Sequence, residues 1–63
     1  MKIYIVIGEY QGVVIDVKPF TDESEARDYQ KGLAEEYGGM RLDGIGNYTD
    51  EESTITLFER DLE

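Results

Sequence analysis

Only one stretch of this chain has a helical period, and the segments on either side of it alternate like strands. Between Asp22 and Gly39, the side chains Ala26, Tyr29, Leu33 and Tyr37 recur at spacings of three, four and four, which places them on one face of a helix. Arg27, Asp28, Lys31 and Glu35 fall on the opposite side, toward water. Asp22 is the expected N-cap, with a carboxylate that can accept from the free N–H groups of the first turn, and Thr21 is its rival one residue earlier. Glu25 completes a capping-box spacing, and Gly38-Gly39 supplies the tolerance for positive φ that stops a helix. A lone helix of this length is marginal in water, so the rest of the chain must supply a sheet for it to cover.

Four segments qualify as strands. Lys2 to Ile7 is apolar on both faces, as a central strand is, and the loop Gly8 to Gly12 reads as a five-residue hairpin connection to Val13–Lys18. Setting Ile7 opposite Val13, Ile5 opposite Ile15 and Ile3 opposite Val17 gives three apolar pairs on one face, the face expected under the helix. Pro19 cannot donate to a ladder and ends the strand. After the helix, Met40–Gly46 is a weaker strand, Asn47–Glu52 a polar turn and Ser53–Glu59 a well-alternating strand. Pairing Leu42 with Ile55 and Met40 with Leu57 makes a second hairpin with an apolar inner face, and Arg60–Glu63 is left as a frayed tail. The expected fold class is α+β: one domain over 1–63, ββαββ, a four-stranded, mainly antiparallel sheet with the helix on one face. The expected strand order is 2-1-3-4, because a right-handed crossover carries the chain past the first strand, with 2-1-4-3 as the alternative.

Composition narrows the chemistry. There is no Cys and no His, so disulfide staples, thiolate metal sites, the thiolate nucleophile and the commonest general base are all absent. The acidic pairs Glu35-Glu36 and Glu51-Glu52 lie on a helix surface and in a turn, not in a pocket that would separate their pKa values, and the chain is read as a non-enzyme with no cofactor. Asp43, Asn47, Asp50 and Glu52 offer oxygen ligands to a hard cation, but Ile45 occupies a ligand position of the EF-hand spacing, so no metal site is expected. Fifteen acidic residues against six basic ones give a net charge of −9, which disfavours direct binding to a phosphate backbone. No apolar run approaches the ~20 residues of a membrane-spanning helix, and a cytoplasmic protein is the default expectation.

What remains is binding. With one helix on one face, the other face is expected to expose Tyr4, Val6, Val14 and Phe58, and Tyr10 and Tyr48 stand at the hairpin tips as further recognition aromatics. The leading reading is a small interaction module that uses this helix-free face for a protein partner or for a second copy of itself as a homodimer. The alternative is an acidic antagonist, antitoxin-like, that imitates nucleic acid and occupies a basic groove on its partner.

Overall fold

The first hairpin turns more tightly than its glycines suggest. The computed structural model describes residues 1–62, and in it β1 (Lys2–Tyr10) runs two residues beyond Gly8 before meeting β2 (Val13–Phe20). The turn is Gln11-Gly12 alone, with φ of 51° and 81°. Two successive positive φ values are what a two-residue hairpin needs to match the twist of its strands. The register moves accordingly: Ile7 lies opposite Val17, Ile5 opposite Pro19 and Tyr4 opposite Phe20, with an irregularity at Gly8/Glu9 that leaves Ile15 as the extra residue of a bulge. The expected pairs Ile7–Val13, Ile5–Ile15 and Ile3–Val17 do not form.

The helix α1 (Glu23–Glu36) follows the sequence closely. Asp22 caps it by accepting from the Ser24 N–H at 2.8 Å. At the other end, Gly38 and Gly39 donate back to Glu35 and Ala34 with φ of 100° and 80°, which satisfies the last carbonyls. The chain then forms two short strands, β3 (Arg41–Leu42) and β4 (Tyr48–Thr49), before the long β5 (Ser53–Asp61). The polar run after Leu42 therefore holds two turns, not one. Asp43 N–H closes the first on Asn47 O at 2.7 Å, and Asp50 N–H closes the second on Ser53 O at 2.9 Å.

The sheet is antiparallel with five strands in the order β2-β1-β5-β4-β3. The expected order 2-1-3-4 is thereby corrected. The last long strand lies beside the first, as in the alternative order, but the sheet has an additional short strand, and Ile55 meets Tyr48 where Leu42 was expected. Nor is the tail frayed from Arg60 to Leu62: β5 runs to Asp61, and Met1 and Leu62 exchange backbone hydrogen bonds of 2.6 and 2.9 Å, while Glu63 lies outside the described residues.

The core is also on the other side of β1 from the one expected. Val6, Ala26, Leu33, Ala34, Met40 and Ile55 are its buried members, with Tyr4, Phe20, Tyr29, Tyr37, Tyr48 and Leu57 packed around them. By strand alternation, Tyr4, Val6 and Gly8 face the helix, and Ile3, Ile5 and Ile7 face away. Close approach explains the choice. A Cβ on Gly8 would stand 2.8 Å from Tyr37 Oη and 3.3 Å from Leu33 Cδ2, so the helix packs where β1 is narrow and meets it with Ala26 and Ala34. Of the ten residues expected on the inner face, Met40 and Ile55 are buried and Leu57 half-buried, whereas Val13, Ile15, Val17 and Leu42 are all more than half exposed.

Gln30 completes the inner side. It is 1% exposed, and its amide donates to Ile55 O at 3.0 Å and to Asn47 Oδ1 at 3.3 Å. Asn47 Oδ1 also accepts from the Leu57 N–H at 3.0 Å, beyond the point where β4 stops pairing with β5. Arg27, expected to face water, reaches Gly46 O at 2.8 Å and Gln30 Oε1 at 3.2 Å. No buried side-chain polar atom is left without a partner among the described residues, as stable packing demands.

Candidate functional site

The face that the helix leaves bare is built from three long strands and the β3–β4 edge. Following the ladders across it, Arg60 lies beside Ile3; Phe58, Ile5 and Pro19 form the next row; Thr56, Ile7 and Val17 the next; and Arg41, Thr49, Thr54, Glu9 and Val14 the last. The middle rows are apolar. Val17 is 57% exposed, Val14 53% and Phe58 44%, and the three isoleucines are half-buried by one another. Adjacent apolar side chains on this scale commonly mark an interface.

Charge is divided between the two sides. Of the acidic residues in strands, Glu9 points to the bare face, while Asp16, Glu59 and Asp61 point to the helix side. Asp22, Glu23, Glu25, Asp28, Glu35 and Glu36 lie exposed along the helix and its cap. Two of the six basic residues, Arg41 and Arg60, lie on the bare face. Among the described residues that face therefore carries one acid and two bases, on a chain of net charge −9.

The structure redistributes the six residues expected to form the interface. Val14 and Phe58 do lie on the bare face, and both are exposed. Val6 is fully buried beneath the helix, and Tyr4 packs against the same core, so neither is on the face assigned to it. Tyr48 also packs against the core, where its strand meets Ile55. Tyr10 is 44% exposed at the hairpin end and donates to Glu52 at 3.2 Å, which raises its hydroxyl pKa. The bare face carries instead Ile3, Ile5, Ile7, Val17 and Pro19. Their signal was present in the sequence, since Lys2–Ile7 is apolar on both faces, but alternation alone does not say which face a helix will take.

The polar groups elsewhere are engaged with one another. Tyr29 donates to Asp16 at 2.5 Å. That bond, helped by burial and by the nearby carboxylate charge, pushes its pKa up to about 12. Burial, with Asp16 and Glu36 adding to it, raises Tyr37 as well. Lys18 holds its ammonium 4.9 Å from the Tyr29 ring centre and 5.7 Å from that of Phe20, a cation–π arrangement. In the turn considered for calcium, Asp43 Oδ1 accepts from the N–H groups of Ile45 and Asn47, Asp50 Oδ1 from Glu51, and Glu52 from Tyr10. These oxygens point to different places, and no group of three acidic side chains able to hold a metal occurs among the described residues.

Two open clefts accompany the sheet. One, of about 460 Å³, lies where β2 ends, between Ile3, Lys18, Phe20 and Glu25. The other, of about 200 Å³, lies between Tyr10, Ile15, Tyr37 and Ser53. No described helix is long and apolar enough to cross a membrane. In comparisons with known proteins, no family model matches the chain, and neither does any curated protein or solved structure.

Proposed function

We propose that this chain is a small non-enzymatic interaction module that works through the helix-free face of its sheet, taking another protein or a second copy of itself as partner. One observation carries the reading: the bare face gathers Ile5, Ile7, Val17 and Phe58 around its middle and keeps charge at its ends, while the acids crowd the other side. Such a face loses little on leaving water and gains from apolar contact. The reading involves no cofactor, no metal and no direct contact with nucleic acid, and places the protein in the cytoplasm. Ile5→Asp tests it. The substitution is expected to lower the mass seen by light scattering, or to abolish capture of a partner, with the melting temperature within a few degrees of the parent. Unchanged assembly and unchanged capture in a folded variant would remove this face from consideration.

A second reading draws on the opposite side. The exposed acids of the helix and its cap, with Glu59 and Asp61 nearby, suit an antagonist that imitates nucleic acid in a basic groove. A salt titration of complex formation separates the two, because docking by charge weakens steeply between low and high ionic strength and apolar docking does not.

A further inference from the structure

We infer that the occupant of the bare face is a second copy of the chain, related by a two-fold axis that lies between the sheets, runs across the strands and passes β1 between Ile5 and Ile7. This rests on the reading of that face as an interface and adds the partner and the geometry. A two-fold interface must be complementary to itself, so each charged residue on the two middle strands β1 and β5 needs an opposite charge where the axis carries it, whereas Arg41 stands apart on the edge strand β3. Glu9 is at one end of the face on β1, and Arg60 is at the other end on the adjacent strand β5. Neither takes part in an ion pair among the described residues.

The proposed axis turns β1 of one copy antiparallel over β1 of the other. Ile5 then lies over the partner's Ile7, and Glu9 lies over the partner's Ile3, whose neighbour across the ladder is the partner's Arg60. Adjacent strands are only about 4.8 Å apart, so Glu9 and the partner's Arg60 come within reach of each other, and symmetry repeats the pair at the other end. The apolar rows of Phe58, Ile5 and Pro19 and of Thr56, Ile7 and Val17 close over each other in the middle. An axis along β1 would instead set Glu9 on Glu9, and docking through the helix side would set acid on acid. Size is also adequate. The molecule extends 36 × 21 × 19 Å, so its broad side is on the order of 700 Å², near the ~800 Å² that one partner gives to a standard interface.

Sedimentation equilibrium on the full chain, from micromolar to millimolar, tests this. The parent is expected to approach twice 7.2 kDa, and Ile5→Asp to stay monomeric. Val17→Asp is the second disrupting variant should Ile5→Asp lose the far-ultraviolet signature of the fold. Glu9→Arg and Arg60→Glu each place like charges together and are expected to weaken the dimer at least about tenfold, while the double variant returns to within about threefold of the parent. A parent that is monomeric at millimolar concentration overturns the second-copy inference and leaves the face available to another protein. A dimer that survives both aspartate substitutions overturns the inference, and unchanged capture of another protein by the same folded variants overturns the interface reading as well. A dimer lost in Ile5→Asp but indifferent to the charge reversals, or not restored in the double variant, keeps the face and overturns the axis.

Discussion

The two faces of β1 carry comparable apolar side chains and meet different fates. On one, Tyr4, Val6 and Gly8 lie under the helix; on the other, Ile3, Ile5 and Ile7 have only one another and the side chains of β2 and β5. Hydrophobicity does not separate them, since the bare face has the larger aliphatic groups. Fit does. The helix brings Ala26 and Ala34 against the sheet, and Gly8 leaves the room that Leu33 and Tyr37 fill. A sheet with two apolar faces and one helix is covered where the backbones can approach most closely, and the bulkier face is left for something else.

Exchanging charge between the faces should break this comparison most sharply. Val6→Asp buries a carboxylate without a partner and is expected to cost more than ~4 kcal/mol, a loss on the scale of the domain's whole stability of about 3–9 kcal/mol. Thermal melting followed by circular dichroism would show no cooperative transition. Ile5→Asp, one residue away, should melt close to the parent at a concentration where the parent is monomeric. Should the two variants melt alike, the assignment of the faces is wrong.

A smaller effect tests fit itself. Gly8→Val improves strand propensity, so any loss of stability is steric. Crowding against Tyr37 and Leu33 should cost about 1–3 kcal/mol, read from the urea midpoint. A neutral or stabilised variant would mean that the helix is not held at this distance by Gly8. The smallest effect concerns Tyr29. Its hydroxyl titrates at about 12 in the folded chain against 10.0 ordinarily, because it donates to Asp16. A raised folded pKa means that the stability from this bond is fully present below pH 10 and is lost as pH rises through 12. Asp16→Asn should bring the Tyr29 titration, followed by ultraviolet difference absorbance, back toward 10, and an unmoved titration would show that the bond to Asp16 is not its cause.

The parts legible in the sequence are those decided locally. Asp22 caps, Gly38-Gly39 stops, and the stripe through Ala26 and Leu33 faces inward, because each depends on neighbours within a turn or two. Gln30 could have been placed as well, at four from Ala26 and three from Leu33, had its polarity not hidden its position. The register of the first hairpin was not legible. It depends on Gln11, a residue with a side chain, adopting a φ of 51°, and on a bulge at Ile15 that no residue announces. The make-up of the bare face followed the register. Once β1 turns its other face inward, Tyr4 and Val6 go into the core, and the isoleucines expected there come out.

The pairing of β1 with β5 also bears on how the molecule comes to exist. The central partners are also the segments farthest apart along the chain, with Lys2 opposite Asp61. Topologies dominated by such distant contacts fold slowly, because a long loop must close before any of its contacts can form. During synthesis, the β1–β2 hairpin and the helix emerge before Ile55 and Leu57 exist to seal Val6 between them. Until Ile55 and Leu57 are made, the nascent chain exposes both apolar faces of β1, and one of them remains bare once the sheet has formed.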